Sequence, residues 1–300
     1  MEQLTLDSNN DPTFSPMDEW GAHEVLWSQE QMTVKRMADL FRNNPNALPS
    51  DLVERSEIDE MKTWVMEHLH AKGIERFGIE FYRGAEYDMG LRDAKNPIEV
   101  LTFLGDSSWT ESPSVAVVGT RRPSDIGIRR CKKLVTNLAE DGFTIVSGLA
   151  QGIDTVAHVT ALEAGAPTFA VIGTPICETY PEANTELQAA IAKKYCVISQ
   201  IPMWRYHQFG SNINRSWFPE RNRTMSALTD ATVIVEASDS SGTLHQARAA
   251  IHQGRKLFIL DSCFEVPGIM WPETMMKKGA IRVTSYEDIR RIMKPPTRVL

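Results

Sequence analysis

Between Ser114 and Leu260, apolar runs of four or five residues alternate with longer segments patterned for helices. No other feature restricts the fold as tightly. The strand candidates are Val115–Val118, Thr144–Ser147, Thr168–Ile172, Cys196–Ser199, Thr232–Glu236 and Lys256–Leu260. Between them lie helix candidates Asp125–Glu140, Ile153–Glu163, Ala183–Lys193, Asn222–Leu228 and Gly242–Gln253. In Asp125–Glu140 the residues Cys131, Leu134, Val135 and Leu138 recur at the spacing of a helix lying on a sheet. Strand, helix, strand, repeated, demands right-handed crossovers. The expected fold class is therefore α/β: a Rossmann-like, doubly wound, mostly parallel sheet, with a small helical unit on its amino-terminal side.

Such sheets bind ligands at the carboxyl ends of their strands. The loops there read GTRRPSD after the first strand, SGLAQGID after the second, GTPICETYPEAN after the third and EASDSSGT after the fifth. None carries the Gly-x-Gly-x-x-Gly turn of a dinucleotide fold, and no Gly-x-x-x-x-Gly-Lys-Ser/Thr loop is present. The remaining expectation is a phosphate site built from small residues, helix amino termini and the guanidinium forks of Arg121 and Arg122.

A second cluster spans Ile201 to Arg223, where Trp204, Tyr206, Phe209, Trp217 and Phe218 are interleaved with Arg205, Arg215, Arg221 and Arg223. Aromatic faces stack on bases while arginines hold phosphates, so this pattern suits a nucleic-acid single strand. Trp204, Tyr206, Phe209 and Trp217 are the expected stacking residues. The alternative for Trp217 and Phe218 is burial under the loop.

Charge is distributed unevenly. Residues 1–114 carry 10 Lys/Arg against 22 Asp/Glu, a net −12, whereas residues 115–255 carry 14 against 12 and residues 256–300 carry 8 against 5. An overall charge of −7 thus does not exclude a polyanionic partner, which responds to the local field. No apolar stretch is long enough to span a bilayer, and the polar, acidic start is not a secretory signal. Cys131, Cys177, Cys196 and Cys263 are far apart and read as buried thiols of a cytoplasmic protein. No catalytic triad, carboxylate pair or metal-ligand cluster stands out. Asp154 reads as a helix cap and His158 as a buried, hydrogen-bonded side chain. His245 lies near the loop edge.

Residues 1–72 read as a separate helical unit anchored by Trp20, Trp27 and Trp64, with one or two helices over Glu19–Arg42 and another capped at Ser50 or Asp51 and running to about Ala71. Residues 73–300 form the second expected domain. Its lead-in, 73–113, contains strand-like segments at Glu75–Tyr82 and Ile98–Asp106.

Six segments agree in order and spacing with one known family: VAVVGTRRPSDIG (Val115–Gly127), SGLAQGIDTVAH (Ser147–His158), YPEAN (Tyr180–Asn184), FPERNRTMSALTDATVIVEA (Phe218–Ala237), SGTLHQARAAIHQGRKLFIL (Ser241–Leu260) and KKGAIRVTS (Lys277–Ser285). Over about residues 73–293 the chain resembles the DprA/Smf DNA-processing proteins of the SLOG group. The resemblance implies single-stranded DNA binding, homodimers, transfer of the strand to a RecA-type recombinase, and no metal or cofactor. It implies a pocket of Gly119, Thr120, Arg121, Ser147, Gly148, Arg221, Asn222, Arg223, Ser241, Gly242 and Thr243. Arg122 and Arg215 join it from the residue reading, and Gln151 stands where the family usually has Arg or Lys. Its role is expected in DNA uptake and transformation or in a related mobile-element or phage-defence setting. Two other readings are a sensor of a small nucleotide signal and a nucleotide N-glycosidase. The glycosidase reading lacks its carboxylate, because Gln246 occupies that position.

Overall fold

The computed structural model describes residues 14–82, 91, 96–210 and 214–296. They form two compact units: Met1–Thr102 with Pro202–Gly210, and Phe103–Ile201 with Ser211–Leu300.

The smaller unit is organised around helix α1 (Pro16–Ser28), followed by α2 (Val34–Asn43), α3 (Arg55–Ala71) and strand β1 (Gly78–Phe81). Strand β2 (Val100–Gly105) begins in this unit. Every residue of α1 from Glu19 to Trp27 is buried, so its polar side chains need internal partners. Trp20 Nε1 donates to Glu24 Oε1 at 3.1 Å, and Trp27 Nε1 donates to His23 Nε2 at 3.0 Å. Glu19 accepts the Ser50 amide at 3.0 Å and its hydroxyl at 2.6 Å. Ser50 is therefore not the cap of α3. Residues 49–52 form a 3-10 turn, and α3 starts at Arg55, where Glu57 accepts the Glu54 amide at 3.2 Å. Ile58, Met61, Val65 and Leu69 form its buried stripe.

The short helix Met203–Gln208 also belongs to this unit. Its first amides, Met203 and Trp204, each donate to Glu24 at 2.9 Å. Arg205, 7% exposed, donates to the carbonyls of Trp27 at 3.1 Å and Gln29 at 3.0 Å. A cation is favoured there, because the carbonyls at a helix carboxyl end have no intrahelical donors. No local pattern marks this helix in the sequence, since its caps lie 179 and 180 residues away.

The larger unit carries a parallel sheet of β3 (Ser114–Val118), β4 (Thr144–Ser147), β5 (Thr168–Ile172), β6 (Cys196–Ser199), β7 (Ala231–Ile234), β8 (Lys256–Leu260) and β9 (Ile281–Val283), in the order β6-β5-β4-β3-β7-β8-β9. Its longer helices are α4 (Asp125–Glu140), α5 (Ile153–Glu163), α6 (Thr185–Lys194), α7 (Trp217–Ala227), α8 (Thr243–His252) and α9 (Tyr286–Met293). The central strands are buried along their length, which explains their unbroken apolar runs. Val115, Val117, Ile145, Val233 and Phe258 pack against Cys131, Leu134, Val135 and Leu138 of α4 and Ile153, Ala157 and Ala161 of α5. Strand order reverses at β3, which pairs with β4 on one side and β7 on the other. The loops after β3 and β7 thus open at the topological switch point of the sheet.

Helix α7 begins five residues earlier than its sequence pattern indicates. Pro219 lies in its first turn, where the missing amide hydrogen would have had no partner in any case.

Candidate functional site

Helix α4 follows the GTRRPSD loop, and its amino terminus is already satisfied from within. Ser124 Oγ accepts the Gly127 amide at 3.0 Å, and Glu236 accepts Ser124 N and Oγ at 3.1 and 2.7 Å. The expectation that this helix end holds phosphate is therefore corrected: a carboxylate from the end of β7 sits there. What the loop presents to solvent is the pair of exposed side chains Arg121 and Arg122. Thr120 Oγ1 fixes the turn by accepting the Arg122 amide at 3.2 Å.

The second loop packs beneath the first. Gly152 has φ of +88°, and a Cβ there would lie 2.4 Å from the Thr120 carbonyl oxygen and 2.8 Å from Arg121 Cα. Only glycine meets both demands. Asp154, 5% exposed, ties the loop back by accepting the Gly148 amide at 3.1 Å and the Ala150 amide at 3.4 Å. His158 is fully buried and bonds Thr168 Oγ1 at 2.8 Å. Burial depresses its pKa to about 3, so it is held neutral.

Arg221 lies in the interior, 4% exposed. Its Nη1 donates to the carbonyls of Gly148 and Val171, the latter at 2.8 Å, and its Nε donates to Asn222 Oδ1 at 3.0 Å. A Cβ on Gly148 would occupy the position of that guanidinium. The small residue at 148 therefore admits an internal arginine, not a ligand. Burial lowers the Arg221 pKa, the Asp154 charge opposes that shift, and the neighbouring Arg121 charge reinforces it. Asp154 is raised by burial and drawn back by Arg221. This buried, compensated pair fixes β4, β5 and α7 under the loop edge.

Several other expected site residues also fall inside. Ser147 is fully buried and donates to the Val117 carbonyl at 2.7 Å. Thr243, 8% exposed, donates to the Gly119 carbonyl at 2.9 Å, while Ser241 Oγ donates to Thr243 Oγ1 at 2.9 Å. Gly119 would clash with Ile153 if it carried a Cβ. Asn222 Nδ2 donates to the Gly242 carbonyl at 3.2 Å, closing the turn that starts α8; a Cβ on Gly242 would meet open space. Gln151 and Arg215 are exposed, and Arg223 is exposed but paired with Glu220. Gln246 is 1% exposed and donates to Thr232 Oγ1 at 3.1 Å.

For Trp217 the stacking expectation is corrected. Trp217 is 4% exposed in the larger unit, while Trp204, Tyr206 and Phe209 belong to the smaller unit, where Trp204 meets Trp64 edge-on at 4.8 Å and Phe209 lies under Arg205 at 4.6 Å. In their place the larger unit brings Tyr180 and Phe218 together, with ring centroids 5.6 Å apart. Tyr180 is 53% exposed, and Arg121 Cζ stands 5.6 Å from the Phe218 ring. The sequence signal for this trio was the YPEAN segment that follows β5 and the FPERNR segment that opens α7, both among the motifs that accompany GTRR.

Residues 79–294 match the family described as DNA recombination-mediator protein A. The Smf protein of Synechocystis sp. is 38% identical over 289 residues, covering 89% of this chain and 71% of the relative. The X-ray structure of DNA processing protein A from Streptococcus pneumoniae superposes with a TM-score of 0.63 at 26% identity, over 95% of both chains. A structure of the Helicobacter pylori protein, described for its single-stranded DNA binding mode, gives a TM-score of 0.60 at 25% identity over 73% of this chain and 95% of its own.

Proposed function

The chain belongs to the DNA recombination-mediator protein A family, and from that premise we propose that its larger unit binds single-stranded DNA at the carboxyl edge of the sheet. The observation that carries this reading is the trio of Arg121, Phe218 and Tyr180. A permanent cation lies beside a half-exposed aromatic pair, with Arg122 and Thr120 next in the chain. The guanidinium suits a backbone phosphate and the rings suit the face of any base, so recognition is independent of sequence. The contacts of Thr243 with Gly119 and of Asn222 with Gly242 brace the neighbouring turns, and the exposed side chains of Arg215 and Gln151 are proposed as further contacts to the strand.

The same reading extends to mediation: the bound strand is passed to a RecA-type recombinase by a homodimer, and the protein works without cleaving its ligand. The amide of Gln246 supports a non-hydrolytic role, because it is turned into the sheet onto Thr232. No described helix is long and apolar enough to cross a membrane.

The test is a titration of fluorescent dT oligomers with thymidine monophosphate as competitor. The expected result is oligomer binding that weakens as salt rises and is not displaced by mononucleotide. Efficient displacement at micromolar monophosphate would instead favour a nucleotide sensor.

A further inference from the structure

Helix α4 has a strongly basic outer face. Its buried stripe is Gly127, Cys131, Leu134, Val135 and Leu138. On the opposite side Arg129, Arg130, Lys132 and Lys133 are exposed, and Ile126 is 50% exposed in their midst. From Arg121 to Lys133 the chain has six cations and a single carboxylate, Asp125. On other helices several surface cations pair with an acid one turn away, as Arg42 does with Asp39, Arg55 with Asp59, Arg223 with Glu220 and Arg291 with Asp288. Among the described residues none of the six cations from Arg121 to Lys133 makes an ion pair. Like charges at i and i+4, such as Arg129 and Lys133, destabilise an isolated helix by a few tenths of a kcal/mol. This face therefore carries a repulsion that a bound polyanion would relieve.

The location of the face points to the kind of anion. Helix α4 starts three residues after Arg122, and the Ser124–Glu236 hydrogen bonds fasten its first turn to the end of β7. The basic face thus begins at the loop that carries Arg121. It runs on for about 12 Å from Asp125 to Lys133 at the helical rise. A partner with regularly repeated charge along its length fits it, and Ile126 offers apolar surface to a sugar or base between the cations.

We propose that the outer face of α4 is a lateral track for the sugar-phosphate backbone of the DNA strand as it leaves the Arg121–Phe218–Tyr180 site. This rests on the single-strand reading of that site. It divides the binding surface into a short stacking site, which short oligomers fill, and a purely electrostatic extension reached only by longer strands.

The experiment compares dT6 and dT25 on the wild-type chain, on Arg129→Ala/Lys133→Ala, and on Lys277→Ala/Lys278→Ala, which removes the same charge from another exposed segment. Two lost phosphate contacts lower the slope of log K against log salt by about 1.4 on a single strand. The expected result is that reduction, with roughly tenfold weaker dT25 binding at low salt, for the α4 variant alone, and unchanged dT6 binding. Unchanged dT25 binding overturns the proposal. So does equal weakening of both lengths, or equal weakening by the Lys277/Lys278 variant, since either reports the overall field. Failure of the wild type to bind either oligomer would instead strike the underlying single-strand reading.

Discussion

Arg121 and Arg221 look alike in the sequence, yet the structure makes opposite predictions for them. Arg221→Ala removes a buried guanidinium from the Gly148 and Val171 carbonyls and leaves the buried Asp154 carboxylate without its compensating charge. Removing one member of such an arrangement costs about 3–5 kcal/mol. For a unit of this size that corresponds to a fall in unfolding temperature of roughly 10 °C. Arg221→Lys retains the charge but not the fork and is expected to fall between. Arg121→Ala removes only an exposed side chain, and its effect on stability stays within about 0.5 kcal/mol. The assay is thermal unfolding followed by circular dichroism, in parallel with dT25 binding well below the transition. The expected pattern is a large thermal shift for Arg221→Ala and loss of affinity without a thermal shift for Arg121→Ala. An Arg221→Ala protein that unfolds within about 2 °C of wild type would refute the interior placement of that side chain.

Tyr180→Ala is expected to weaken dT6 binding by about 1–3 kcal/mol, the worth of one stacked base, without altering the salt slope; an altered slope with unchanged affinity would contradict stacking. Glu24 supplies a pH-dependent test of the smaller unit. Burial pushes its pKa to about 7 against an ordinary 4.5, despite amides that favour the charge. Between those values the folded state holds a proton that the unfolded state has released, so stability falls by roughly 3 kcal/mol as pH rises through the window. Glu24→Gln should flatten that decline, read as unfolding temperature from pH 5 to 8. The depressed values of His23 and His158, both about 3, act in the opposite sense below pH 6.5 and are common to both proteins. An identical pH profile in wild type and variant would show that Glu24 titrates normally.

What the sequence disclosed, and what it concealed, follows from the range of the forces involved. Strands β4, β5, β6 and β8 and helices α4 and α5 fall where their patterns put them. β4, β5 and β6 are buried on both faces, β8 is buried at Leu257–Ile259, and one stripe of each helix is buried, so hydrophobic spacing suffices to locate them. Strand β9 and helix α9 are short or amphipathic at the periphery and left a weaker trace. The partners of the arginines were not legible at all. The sequence segment 201–223 counted one adjacent acid, Glu220, for four arginines and so made them appear free for phosphate. In the folded chain Arg205 takes carbonyls at the end of α1, Arg221 takes carbonyls of Gly148 and Val171, and Arg223 takes Glu220. Carbonyl acceptors belong to every residue and carry no sequence signature. The same blindness applies to Ser147 and Thr243, whose hydroxyls are spent on the Val117 and Gly119 carbonyls. Tyr180 and Phe218 were visible as residues, but their meeting depends on the parallel placement of the loop after β5 beside α7.

The most direct test of the account is the salt dependence of dT25 affinity for the wild type and for Arg121→Ala/Arg122→Ala. Loss of two phosphate contacts predicts a slope shallower by about 1.4 and weaker binding to every sequence alike. Wild-type affinity and wild-type slope in the double variant would contradict it.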